Sequence, residues 1–320
     1  MLQSAYRKEW FVETCIAKEL LGTPTGSRLP TIADYAESFS CSRGIVQNAL
    51  ANLESKQVII LDRLGKRGTY LAGKEEEGLF ACSGLRHLTA SMPPPVNRYF
   101  AGLATGICQQ MNACPLPFTF AFVQGSRNRV QALAAGAYDF VVITGYSARF
   151  YEEKYPEVEM AFPFADSVYS LPHKLYISHP GKTQIEDGMT VAVDPSSYDQ
   201  VAITRQLCRG KRVQILEMPL VSAAYSFYSG KIDCLVFRDG IRQASDNLLN
   251  LVMSRADCLP PEQISQIALR PGEPDMEQPV ALVSRKNHGI KGILQQYLAG
   301  EQVGAIQKKV MDGTMLPQFY

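Results

Sequence analysis

The sequence contains no CxxC pair, no run of eighteen apolar residues and almost no net charge. Without CxxC spacing, the eight cysteines (15, 41, 82, 108, 114, 208, 234 and 258) give no sign of a zinc ribbon or a disulfide framework, and reduced, mostly buried thiols are expected. The lack of a long apolar run excludes a membrane-spanning helix. The opening residues, MLQSAYRKEW, lack the apolar core of a secretory signal, so a cytoplasmic location is expected. A net charge of +1, from 32 Lys and Arg against 31 Asp and Glu, argues against a protein that coats nucleic acid nonspecifically; any contact with DNA should be local. The four histidines, His87, His173, His179 and His288, show no ligand spacing, and GxSxG, HExxH and GxxxxGKS/T motifs are all missing. No catalytic residue, metal ligand or cofactor is therefore assigned, although a triad assembled in space would leave no such trace. What the chain does have is length and apolar content, 320 residues and 46% hydrophobic, enough for two or three domains with real cores.

The most informative stretch is 29–71. Pro30 and Thr31 open a short helix running from Ile32 to about Ser38, with Thr31 placed to cap it and Ile32 and Ala36 facing inward. After the polar turn Phe39-Ser40-Cys41, Ser42 starts a second helix, in which Ile45, Val46, Leu50 and Leu53 repeat at helical period. Two helices joined so tightly cross steeply, and the second can protrude into a major groove. Val58 to Leu61 and Thr69 to Leu71 read as two strands of a hairpin whose glycine-bounded tip, Leu64 to Gly68, carries Lys66 and Arg67, with Arg63 beside it. The pattern is that of a winged helix-turn-helix, mainly α with a β-hairpin wing. The alternative is a small helical bundle with a hairpin for protein contacts, because residues 1–73 carry only nine Arg and Lys against seven Asp and Glu. A helix from about Ser4 to Leu21 precedes the motif, with Tyr6, Trp10, Ala17 and Leu21 on one side; Trp10 is read as core or dimer contact.

Several anchors at fixed offsets, namely Gly26-Ser27-Arg28-Leu29-Pro30, Ser42-Arg43-Gly44-Ile45-Val46, Ala49-Leu50, Leu53-Glu54 and Arg67-Gly68-Thr69-Tyr70, resemble the GntR-type winged-helix regulators over about the first 72 residues. Ala33 and Gln47 stand where that family usually has arginines that grip DNA. Arg43 remains, with Gln47 and Asn48 as readers of base edges, since amide side chains can bond adenine bidentately. The candidate DNA contacts are Thr31, Ser42, Arg43, Gln47, Asn48, Arg63, Lys66, Arg67, Gly68 and Thr69.

Residues 74–84, with glycines and the acidic run Glu75-Glu76-Glu77, read as a linker between residues 1–73 and a larger domain over 85–320. Beyond the linker, strands and helices alternate: a strand over 85–90, a helix over 98–111, strand Phe118 to Val123, a helix over 129–135 and strand Tyr138 to Thr144. Such alternation predicts a parallel sheet with right-handed crossovers. Residues 130–142 have an echo at 224–236, in which an amphipathic helix ends at glycine, an aspartate follows three residues on and a buried strand begins. Asp139 and Asp233 fit as strand-entry residues that accept from backbone amides rather than as catalysts.

Strand, helix, Gly-x-x-Asp and apolar strand, in two copies, resemble the type 2 periplasmic-binding-protein fold that LysR-type regulators use to sense effectors. The resemblance implies an α/β domain of two lobes, lobe 1 over about 85–172 and 279–320 and lobe 2 over about 173–278. The chain crosses near Lys174 to Ser178 and returns over Pro279 to Ser284, with a helix over 289–299 following. A GntR-type reader fused to such a domain resembles the YhfZ family of regulators.

In open α/β sheets, ligands sit beyond the carboxyl ends of the strands, where helix N-termini offer free amides. Four loops fit, and they place Ser91, Met92, Gly125, Ser126, Arg127, Thr144, Gly145, Tyr146, Ser197 and Tyr198 as candidate ligand contacts. Arg127 is positioned to pair with a carboxylate or phosphate, and Tyr146 and Tyr198 to stack or donate a hydroxyl. Ordinary helix capping explains the same serines. The expected function is transcription regulation by a homodimer that binds an operator and a small polar or anionic effector. The alternatives are an enzyme or solute-binding protein that uses the winged helix for protein contacts, and a regulator whose large domain serves only assembly.

Overall fold

The computed structural model describes residues 2–238, 258–269, 277–287 and 289–319, with side chains from residue 8 onward. His288 and the side chain of Tyr6 lie outside the described residues. Helix α1 (Leu2–Leu21) is followed by α2 (Ile32–Ser38), α3 (Arg43–Ser55) and the hairpin β1 (Ile59–Arg63) and β2 (Thr69–Lys74). A reciprocal capping box between Thr31 and Asp34 starts α2, and the Ser42 hydroxyl accepts from the Ile45 amide to start α3. Val46, Ala49, Leu50 and Leu53, spaced at i, i+3, i+4 and i+7, bury one face of α3. The backbone of Gly26 to Leu29 hydrogen-bonds along β2, joining the helices to the wing.

α1 packs through Val12, Cys15, Ile16, Ala17, Leu20 and Leu21. Trp10 is not in that core: it is 64% exposed, beside Phe11 at 51%. Both precede the half of α1 that is covered on its two sides, by α3 and by α4 (Glu76–Ser83). That second cover is the stretch expected as a linker. Glu75 caps α4 by accepting from the Glu77 and Gly78 amides, and Leu79 and Phe80 are buried against α1. The acidic run is a helix start, its charge favourably placed at the amino end.

Beyond α4 the chain builds β3 (Leu88–Met92), α5 (Arg98–Met111), β4 (Phe118–Phe122), α6 (Ser126–Ala134), β5 (Phe140–Thr144), α7 (Gly145–Lys154) and β6 (Val158–Pro163). It then crosses to β7 (His173–Ile177), β8 (Thr190–Val193), α8 (Tyr198–Leu207), β9 (Gln214–Glu217), α9 (Leu220–Tyr228), β10 (Cys234–Arg238) and β11 (Ser265–Ala268). It returns as β12 (Pro279–Ser284), α10 (Ile290–Tyr297) and α11 (Gly300–Met311). One sheet has the order β4-β3-β5-β12-β6 and the other β9-β8-β10-β7-β11. The orders are equivalent: in each lobe the second, first and third strands run parallel, the strand arriving from the other lobe is inserted antiparallel, and the fourth closes the edge. The sheets are thus mixed rather than wholly parallel, because a chain that crosses between lobes enters the second sheet from the opposite end. Two lobes of this kind make a periplasmic-binding-protein-like α/β domain, preceded by the helix-turn-helix region.

The repeat seen in sequence is a structural one. Asp139 Oδ2 accepts from the Thr89 amide at 2.8 Å, and Asp233 Oδ2 from the Thr190 amide at 2.7 Å, so each aspartate ties the entry of the third strand to the start of the first. The second oxygens are also engaged: Asp139 Oδ1 accepts from Asn287 Nδ2 at 2.9 Å, and Asp233 Oδ1 lies 2.8 Å from His179 Nε2.

One continuous apolar core runs from α1 and α3 through α4 into α5, β3, β12, α10 and α11. Where α1 ends, its backbone lies against α10: a methyl on Gly292 would come within 2.5 Å of Gly22 Cα. Lys74 Nζ donates to the carbonyls of Leu20 and Leu21, at 3.3 and 2.5 Å, and to Gln296 Oε1 at 3.1 Å. Glu76 accepts from Gln296 Nε2 at 2.5 Å and the Tyr297 hydroxyl at 2.7 Å. The helix-turn-helix region and lobe 1 therefore form one packed body.

Candidate functional site: a groove on the winged helix and a cavity between the lobes

On α3, the face opposite the core presents Arg43, Gln47 and Asn48, all exposed, with Ser42 exposed at the cap. Arg43 and Gln47 are one turn apart and line a groove of about 420 Å³ with Pro30, Thr31, Gly68 and Thr69. Thr31, Arg43, Gln47, Gly68 and Thr69, five of the ten residues picked from sequence, thus meet on one concave surface. Lys66 and Arg67 stand exposed at the wing tip, where Gly65 and Gly68 take positive φ. Arg63 does not join them: both guanidinium arms hold the Glu54 carboxylate at the end of α3. Arg63 ends β1 still exposed, but within reach of the carboxylate at the end of α3. Arg28 was missed. It bridges to Tyr70 across β2 and packs on Gly68, where a methyl would lie 2.6 Å from Arg28 Nε. Its pairing to the wing, invisible in local periodicity, makes it an exposed cation on this side.

A second concavity lies between the lobes, a cavity of about 100 Å³. Four of the ten residues expected in contact with a ligand, Gly125, Ser126, Thr144 and Ser197, line it. Ser91 and Met92 are fully buried in β3 and do not. Gly145 is absent from the lining; Tyr146 and Tyr198 stack on each other at 5.5 Å beside it, with Phe150 on Tyr198 at 3.8 Å, and join lobe 1 to lobe 2. Arg127 is exposed. Helix α6 starts at Ser126, three residues earlier than expected, so its inward cation is Arg129.

Arg129 Nη1 donates to the Val123 carbonyl at 2.7 Å and Nη2 to the Tyr169 hydroxyl at 2.9 Å. From lobe 2, the Asp199 carboxylate in the first turn of α8 reaches the start of α7 in lobe 1. It accepts from Thr144 Oγ1 at 3.0 and 3.1 Å and from Ser147 Oγ, and it pairs with Arg238 Nη2 at 3.1 Å. Further ties hold the lobes together: the Arg127 amide donates to the Ser196 carbonyl at 2.9 Å and the Tyr198 amide to Ser126 Oγ at 3.3 Å. Gly125 lets the chains approach, since a methyl there would lie 2.5 Å from Ser196 Cβ.

Arg129, Asp199, His173, Tyr169 and Arg238 all line the cavity, and none was singled out from sequence. For Arg238 a signal existed. In the repeat that aligns Val130 with Ala224, Arg238 is the counterpart of Thr144, and both end a third strand at the cavity. Burial pushes the Tyr169 hydroxyl pKa up. Burial, reinforced by the neighbouring Arg238 charge, holds His173 well below 6.5, so its ring is neutral. A histidine that takes a proton less readily when folded than its ordinary 6.5 allows when unfolded contributes stability that is present above that pH and lost as pH falls. Denaturant melts at pH 6.5 and 5 are expected to show the parent chain losing more stability than His173→Gln; parallel losses would contradict a neutral buried ring.

Residues 75–319 match the family model described as the YhfZ C-terminal domain. The chain belongs to the YhfZ family. Residues 24–71 match a helix-turn-helix domain model. The uncharacterized protein YhfZ of Escherichia coli (strain K12) is 28% identical over 237 residues, 74% of this chain and 77% of that protein. The crystal structure of YhfZ from Shigella flexneri superposes with a TM-score of 0.59 at 20% identity, covering 76% of this chain and 97% of that one. A periplasmic substrate-binding protein of an ABC transporter from Coxiella burnetii aligns at 14% identity and a TM-score of 0.45, over 72% of this chain and all of that one. Among the described residues, no helix of this YhfZ-family chain is long and apolar enough to cross a membrane.

Proposed function

We propose that this chain is a cytoplasmic transcription regulator that binds an operator through a GntR-like winged helix and senses a small polar or anionic metabolite between its lobes. The carrying observation is the exposed face of α3, with Arg43, Gln47 and Asn48 beside the wing cations, on a body that shares its core with one wall of the cavity. Arg43 and the two amides read base edges, and Lys66, Arg67 and Arg28 meet phosphates. The chain works as a homodimer on a near-palindromic site, with the exposed Trp10 and Phe11 as contact between copies. It carries out no catalysis.

Because reader and lobe 1 share one core, a ligand that moves lobe 2 leaves that body intact. The spacing of two readers then changes only if lobe 2 takes part in the contact between copies. An effector that prefers one arrangement a thousand-fold supplies about 4 kcal/mol for that change. The test is retention of DNA from upstream of its own gene by the full chain. Binding should be tight at low salt and fall steeply as salt rises, with a slope of about −0.9 per phosphate neutralised. No retardation at low salt would remove the reading.

A further inference from the structure

The polar groups of the interlobe cavity are not all satisfied among the described residues. Arg129 is 2% exposed, and two of its nitrogens are occupied by neutral oxygens, while Nε has no partner. No carboxylate among the described residues lies within ion-pairing distance of it. Ser170, 1% exposed and lining the same cavity, has a hydroxyl without a partner. A buried cation without a counter-ion is costly, and an arriving anion removes that cost.

We infer that the cavity takes a short-chain monocarboxylate, its carboxylate on Arg129 and Ser170 and its carbon chain against the apolar wall, and that it rejects amino acids of the same size. This rests on the effector-sensing reading above and names the ligand class. Four observations select it. Asp199, the one carboxylate lining the cavity among the described residues, is already engaged by Thr144, Ser147 and Arg238, so none of the described acids remains for a ligand ammonium, which would lie near the Arg129 charge. His173 is neutral and adds no second cation, so one negative charge balances Arg129 and a dianion overshoots. Pro93, Pro94, Val96, Phe100, Leu220 and Phe237 supply a surface that rewards methylene groups and not hydroxyls. A volume of about 100 Å³ is below the ~150 Å³ cavity that accepts benzene, which limits the ligand to a few heavy atoms.

The experiment is calorimetric titration and thermal shift of the full chain with acetate, propionate, butyrate, pyruvate and lactate, set against alanine, inorganic phosphate, propanol and propylamine. Propionate and alanine differ by one ammonium group, and the best carboxylate is expected to bind at least 30-fold more tightly than alanine. Arg129→Gln should abolish that preference, and Ser170→Ala should weaken binding severalfold. Because glutamine removes a buried charge, the first variant is expected to fold; if it does not, Ser170→Ala and the ligand panel still decide. Binding of alanine or phosphate with no carboxylate bound would overturn the ligand class and leave effector sensing standing. Silence across the five acids would overturn the inference, while DNA retention and its response to other metabolites would still judge the regulator itself.

Discussion

Replacing Arg43, Lys66 and Arg67 together with alanine is expected to weaken operator binding more than about 100-fold while leaving fold and ligand binding intact. All three side chains are exposed, and none makes a hydrogen bond or ion pair with the described residues, so their loss should change stability by no more than about 0.5 kcal/mol. Arg43, on the outer face of α3, should contribute ~1–3 kcal/mol of base discrimination. The two wing cations should each contribute about one phosphate, so the salt dependence of binding becomes shallower by about 2. Fluorescence anisotropy at several salt concentrations separates these effects. Arg63→Ala is the internal control: its guanidinium is held by Glu54, so the slope should barely move. A triple variant that binds as tightly as the parent would show that this face does not touch DNA.

Gly292→Val is expected to lower the melting temperature sharply and to split one unfolding transition into two. The added carbons would meet backbone rather than a side chain that can swing away: Gly22 Cα lies 2.5 Å from the new Cβ, and the Gly22 carbonyl carbon and oxygen 3.0 Å from it. Overpacking of this kind costs about 1–3 kcal/mol or more, a shift of roughly 2–4 °C per kcal/mol at this chain size. Since α1, α3, α4 and lobe 1 share one core, forcing α1 away from α10 should let the winged helix melt separately from lobe 1. The same variant should still bind DNA at low temperature but respond less to ligand. Calorimetry showing an unchanged single transition would mean that the two regions are not joined as tightly as their packing indicates.

Both experiments probe features of different legibility. The helix-turn-helix was readable because its signals are local: Thr31 and Ser42 cap, the apolar positions of α3 recur at helical period, and glycines bound the wing. The two-lobed plan was readable because the segments at 130–142 and 224–236 repeat the same helix, glycine, aspartate and strand. The seam between them was not. Glu75-Glu76-Glu77 and its flanking glycines have the composition of a linker, yet Leu79 and Phe80 bury that segment against α1. Composition reports what a segment could leave in water; it does not report a partner far away along the chain, as α1 is, or as Gln296 and Tyr297 are, 220 and 221 residues beyond Glu76.

The cavity shows the same division at the scale of single residues. Of the residues picked from the loops in sequence, Gly125, Ser126, Thr144 and Ser197 line the cavity. Which cation turns inward depended on where α6 begins, and a shift of three residues moves the role from Arg127, exposed, to Arg129, buried. A helix rotates about 100° per residue, so small errors in its start reverse inside and outside. Asp199 and Arg238 come from segments remote from Thr144 and meet it only when lobe 2 rests on lobe 1. Periodicity, caps and turn residues are properties of neighbours along the chain, and they determined the elements, the helix-turn-helix and the paired lobes. Burial, counter-ions and close backbone approach are properties of neighbours in space, and those decided which side chains line the interlobe cavity and which regions share a core.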